Sequence, residues 1–218
     1  MNDWQAHLQR ERGRYEDGIA RLADEPSERQ RQLTRVGNAA YGAGLALLME
    51  ARREEAAEWL GRAAERYRES FADAPPGSWG RPIAALKARL LSSDWAGAEA
   101  EARWTIELDA VAAESPIGRY AGTLALLVLG QDEQARAVSA SLRDRDDFPH
   151  DVADALATIA AEDRLGYVYA IESVLESFET RPEYLEDVPV ADTVLVLQAL
   201  AARRGIAAEL QSSLLPPS

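Results

Sequence analysis

The residue types that could carry chemistry are few in this chain, and their spacing does not assemble them. His7 and His150 are the only histidines, and neither sits in a metal-binding motif. His150 follows Pro149 and precedes Asp151, so it reads as an exposed polar residue at a helix start. No serine lies in a Gly-x-Ser-x-Gly elbow, and neither a phosphate-binding Gly-x-x-x-x-Gly-Lys loop nor a dinucleotide fingerprint occurs. Carboxylates cluster twice, at Asp144, Asp146 and Asp147 beside Phe148, and at Glu183, Glu186 and Asp187 around Tyr184. Such spacings could hold a divalent cation. In a chain this acidic, however, charge runs are expected to be solvated faces. With no cysteine, disulfides and thiolate metal sites are excluded. The expectation is a non-enzymatic protein with no catalytic residues, no metal and no cofactor.

Recognition by contact is the remaining possibility. Trp79 and Arg81 lie in Ala74-Pro75-Pro76-Gly77-Ser78-Trp79-Gly80-Arg81, whose prolines and glycines predict a loop. An aromatic next to an arginine on an irregular segment has the composition of an interaction hot spot. Arg119 and Tyr120 begin the next helical unit at the equivalent edge. Trp79, Arg81, Arg119 and Tyr120 are therefore the predicted binding residues. The competing expectation is that Trp79 folds back over the end of the unit and Arg81 caps carbonyls. Trp59, Trp95 and Trp104 fall on apolar helical faces and are predicted core.

These residues must be positioned by helices. Pro82 is followed by Pro116, Pro149 and Pro182 at steps of 34, 33 and 33. Proline suits the first turn of a helix, where its missing N–H has no partner to lose. Between the prolines, apolar residues recur with helical period, as in Ile117, Tyr120, Ala121, Leu124, Leu127 and Val128. Ala56, Ala98 and Ala135 follow the turn inside each unit, where a small residue lets paired helices approach. Helices are predicted over 3–23, 28–50 and 53–72, then as pairs at 82–92 with 95–109, 116–130 with 132–144, and 149–161 with 164–180. In 164–180 the inward stripe is Tyr167, Ala170, Ile171, Val174, Leu175 and Phe178. In 3–23 it is Trp4, Leu8, Glu11, Tyr15, Ile19 and Leu22. Ser27 and Ser115 are the predicted N-caps. Gly37, Gly42 and Gly44 predict close packing or a kink, residues 181–189 an acidic loop, and 190–204 a last helix ended by Gly205. Pro216 to Ser218 reads as a frayed tail.

The chain is thus expected to be all-α, with about ten helices in antiparallel pairs stacked as a short right-handed solenoid. It is organised as one domain over 1–218: N-terminal helices over 1–73, three helix pairs over 82–181 and a C-terminal helix over 190–205. A composition of 47% apolar residues suffices for a core. No apolar run is long enough to cross a membrane, and since Met1-Asn2-Asp3-Trp4 has no basic region followed by an apolar core, no signal peptide is expected. The net charge of −13 repels nucleic acid and anionic lipid. Arg outnumbers Lys by 23 to 1, with Lys87 alone.

A period near 34 residues built of helix pairs resembles tetratricopeptide repeats over roughly 35–181. The whole chain also resembles the immunity protein 49 family of bacterial polymorphic toxin systems. That resemblance is carried by Gly42 to Ala57, Trp79-Gly80-Arg81-Pro82 and Ser115-Pro116-Ile117-Gly118-Arg119-Tyr120. It implies a cytoplasmic protein that binds and neutralises a toxin domain, which the acidity would suit if the toxin is basic. The alternative is a sensor or adaptor that takes a peptide or small ligand in the concave groove of the repeats.

Overall fold

Helix starts in this chain are set by side chains that satisfy the orphan N–H groups of a first turn. Ser115 Oγ accepts from Gly118 N at 3.1 Å, with Pro116 at the first helical position. Asp3 and Asp163 act alike, accepting from Ala6 N and Gly166 N at 3.0 Å each. The second helix departs from expectation. Its cap is Glu25, not Ser27, because Pro26 takes the first position and the Glu25 carboxylate reaches Ser27 N and Glu28 N at 2.9 and 2.7 Å.

The computed structural model describes residues 3–217; Met1, Asn2 and Ser218, where the leader reading begins and the tail ends, lie outside them. Among the described residues there are ten α-helices and no strand. They are α1 (Trp4–Ala20), α2 (Pro26–Met49), α3 (Arg53–Phe71), α4 (Gly80–Leu91), α5 (Trp95–Glu107), α6 (Pro116–Val128), α7 (Asp132–Arg143), α8 (His150–Ala160), α9 (Arg164–Glu179) and α10 (Asp192–Ala202). One-turn 3-10 helices occur at Ala110–Ala112 and Leu185–Asp187. None of the helices is long and apolar enough to cross a membrane.

The proline period marks three helix starts. Pro82 lies in the first turn of α4, Pro116 opens α6 and Pro149 caps α8. Pro182 opens none; α10 begins ten residues later, at Asp192.

A regularity of the backbone runs through the turns. After α2, α4, α6, α8 and α10 the chain steps into the left-handed region, at Ala51, Ser93, Gly130, Glu162 and Gly205 with φ of 58, 59, 71, 52 and 70°. The next N–H then reaches back five residues: Arg52 to Leu47 O, Asp94 to Arg89 O, Gln131 to Leu126 O, Asp163 to Thr158 O and Ile206 to Ala201 O, at 2.9 to 3.1 Å. This is the Schellman ending. Its usual mark, glycine, stands at only two of the five positions, so the pattern is hidden in the sequence. Side chains pay a penalty in that conformation. Ala51→Gly is therefore expected to raise stability by about 1 kcal/mol, and Gly130→Ala to lower it by about as much, read from denaturant midpoints.

The chain divides into two units. The first takes Met1–Asp94, Pro182–Val190 and Ser213–Ser218. In it α1 packs on α2, α2 on α3 and α3 on α4. The glycines of α2 mark close approach: a Cβ at Gly44 would lie 2.6 Å from Leu60 Cγ, and one at Gly37 would lie 3.0 Å from the Tyr67 ring. Trp59 is buried as expected, edge-on to Tyr15 at 5.3 Å. The stripe of α1 is narrower than its period predicts, since only Leu8 and Glu11 are buried and Ile19 is 37% exposed.

In the acidic segment Pro182–Val190 the expectation of a solvated run holds at Glu183 and Asp187, which are exposed, and fails at Glu186. Glu186 forms an ion pair with Arg14 and accepts from Asn38 Nδ2 at 3.0 Å. Its backbone carbonyl accepts from Arg10 Nη2 at 2.5 Å. Arg10 and Arg14 also grip Glu11, whose side chain is fully buried, at 2.7 and 3.1 Å. Arg10 and Arg14 of α1 thus hold a segment far away in sequence through a hydrogen bond and an ion pair.

The second unit takes Trp95–Arg181 and Ala191–Ser212. Successive helices α5 to α9 pack pairwise; α6 and α8, the first helices of their pairs, also touch each other, and the final helix α10 touches α8. Ala98 and Ala135 are fully buried, as their place after the turn predicts. Tyr167 Oη donates to Gln198 Oε1 at 2.9 Å and ties α9 to α10.

Candidate protein-binding surface

Of the four residues predicted for binding, Trp79 and Arg81 belong to the first unit, Arg119 and Tyr120 to the second. Trp79 occupies the N-cap position of α4 and is half-buried. The loop before it is shorter than expected, because α4 already begins at Gly80. Arg81 turns onto α2: its Nε donates to Thr34 Oγ1 at 3.1 Å and its Nη2 to Gln30 Oε1. Burial lowers the Arg81 pKa, and no carboxylate offsets it. The guanidinium therefore works as a strut between α2 and α4.

Arg119 Nε donates to Ala113 O at 2.9 Å, which fixes the residues before α6. Tyr120 is only 8% exposed and packs on Phe148 with ring centroids 5.5 Å apart. Burial, with a smaller contribution from the Asp192 charge, raises its pKa. Tyr120 is thus a core residue rather than part of a surface ridge. Its apolar period already placed it on the inward stripe of α6.

The remaining candidates for chemistry stay apart. His7 is half-buried beside Trp4, and burial first, then Arg10, lowers its pKa. His150 is exposed at the first position of α8. Asp147 is held by Arg145 at 2.7 Å through both oxygens, while Asp144 and Asp146 are exposed. Among the described residues, no group of three His, Asp or Glu side chains converges as a metal site would require.

In the second unit a cavity of about 290 Å³ lies at the C-terminal end of α6, lined by residues that include Glu99, Arg103, Asp132, Arg203 and Arg204. Here Arg204 Nη2 donates to Leu127 O at 2.8 Å and pairs with Asp132. Arg203 donates to Val128 O at 3.4 Å, pairs with Glu99 at 3.5 Å and lies 4.5 Å over the Trp95 ring. Trp95, expected in the core, is only half-buried because it serves as this platform. The cations satisfy the last carbonyls of α6, where the helix dipole is negative; Arg204 pairs with Asp132, while Arg203 shares Glu99 with Arg103.

A different surface stands out on α9. Leu165 and Tyr169 are 68% and 66% exposed, the most exposed large apolar side chains among the described residues. Glu172 and Glu176, also exposed, continue the same line. At about 100° per residue these four fall within an arc of about 60°, and they extend about 16 Å along the helix. The buried residues Tyr167, Ala170, Ile171, Val174, Leu175 and Phe178 occupy the opposite side. Neither Glu172 nor Glu176 forms an ion pair or side-chain hydrogen bond among the described residues, and the same holds for Glu162 just before the helix. The sequence carried the signal: Leu165 and Tyr169 are large apolar residues that break the inward stripe of an otherwise regular helix.

No family model matches the chain, and neither a curated protein nor a solved structure does.

Proposed function

We propose that this protein is a non-enzymatic protein-binding module whose partner is a basic protein, with helix pairs stacked as a short tetratricopeptide-like solenoid. The observation that carries the reading is acidity left unmatched on the folded surface. Acidic residues exceed Lys and Arg by 37 to 24, and Glu162, Glu172 and Glu176 are exposed with no cation paired to them among the described residues. Such a surface draws in basic partners and repels nucleic acid. The repeated left-handed turn after the first helix of each pair, and the row made by α6, α8 and α10, support the solenoid. Neutralisation of a basic toxin domain in the cytoplasm, as an immunity protein would do, is the most specific form of this reading.

The cavity at the end of α6 favours a second reading, a small-ligand sensor. It is the weaker one, because the charges that line the cavity are already engaged by the chain's own groups.

The test is capture of partners by the tagged chain in its source cells, followed by association rates of the recovered protein across salt. A basic protein is expected, with a rate that falls steeply as the Debye length shrinks from about 30 Å at 0.01 M to about 3 Å at 1 M. A flat salt dependence, or tight binding of duplex DNA by the chain alone, would refute the reading.

A further inference from the structure

We infer that the outer face of α9 is the docking surface for the partner, and that the partner meets it with an apolar recess bordered by lysine or arginine. This inference rests on the protein-binding reading above and adds the location and the complementary chemistry. Single exposed apolar residues are ordinary on protein surfaces. Here two large ones stand one turn apart, on the side of α9 opposite its buried stripe, where none of the described residues covers them.

Charge decides what covers them. Glu172 and Glu176 lie along the same line, and Glu162 flanks its start, none of them paired with a cation among the described residues. The helix has one cation, Arg164, at its first position. A second copy docking through the same face about a twofold axis would set these carboxylates against each other, and like charges placed together oppose association. A basic surface pairs with them instead. Tyr169 supplies a broad rigid contact with few rotamers to freeze, and its hydroxyl can hydrogen-bond at the rim. Leu165 supplies an apolar knob one turn away. Carboxylates flanking an apolar anchor steer the encounter and exclude wrong partners.

The experiment places a photoreactive benzoylphenylalanine in the full-length chain, in the source cells, at position 169 and, separately, at the exposed positions Arg31 on α2 and Gln134 on α7. Irradiation at position 169 is expected to join the chain to one protein of basic isoelectric point. Adding Glu172→Lys and Glu176→Lys is expected to cut that product at least tenfold while thermal melting stays unchanged, since both side chains are exposed. An unchanged yield after charge reversal overturns the inference, as does a product containing two copies of this chain. Products from positions 31 or 134 alone also overturn it but leave the protein-binding reading standing. No product from any position removes both.

Discussion

Glu11→Ala is expected to lower the stability of the first unit by about 3 kcal/mol, the lower end of what breaking a buried ion pair costs. Glu11 is a charged side chain with no solvent exposure, held by Arg10 Nε at 2.7 Å and Arg14 Nη1 at 3.1 Å. It packs against α2 at Gly42, where a Cβ would come within 3.1 Å of Glu11 Cγ. Truncation removes the carboxylate, leaves a void under α1 and takes away the group that orients both arginines. The cost stays at the lower end because Arg10 and Arg14 are 40% and 45% exposed and regain water. Arg14 also keeps Glu186. Chemical denaturation of the wild type and the variant measures the difference, and a loss below about 1 kcal/mol would mean that the pair is solvated in solution. The arrangement predicts a second effect at a distance. The arginines that hold Glu11 also hold Glu186 and its carbonyl. The variant should therefore expose Pro182–Val190 to limited proteolysis earlier than the wild type does.

Gly122→Ala is expected to destabilise the protein by about 2 kcal/mol, with a sign opposite to that of Gly13→Ala. Both glycines lie inside helices, where replacement by alanine ordinarily gains about 1 kcal/mol. Gly13 on α1 has open space around its missing Cβ, and the gain should be realised there. At Gly122 a Cβ would lie 2.9 Å from Val111 N and 3.0 Å from Ala110 C, both backbone atoms. Backbone cannot swing aside as a side-chain tip can. The one-turn helix Ala110–Ala112 would have to move off α6, and overpacking of this kind costs about 1–3 kcal/mol. Thermal or denaturant melting of the two variants in parallel decides it. Equal stabilisation by both would show that Ala110–Ala112 does not sit on α6.

Periodicity made the helices legible because burial of one face repeats every three or four residues. The stripe from Tyr167 to Phe178 is buried as the spacing predicts, and Ser115-Pro116 opens α6 as a polar cap and a proline should. These features depend on neighbours in the chain, so composition and spacing determine them. By the same rule, the all-α class and the number of helices were readable from the sequence, since no segment alternates as a strand would. Other features depend on which residues meet across the fold, and only the tertiary structure decided them. Glu186 looks like one of several solvated acids until Arg14 and Asn38, well over a hundred residues away, are placed against it. Arg81 looks free until Gln30 and Thr34 take its donors. Tyr120 carries a binding residue's chemistry, yet Phe148 covers it. Conversely, Leu165 and Tyr169 reveal themselves as surface only because no other described segment comes to cover them. A side chain's type states what contact it can make; whether that contact is spent inside the molecule is decided by long-range packing, which spacing along the chain does not encode.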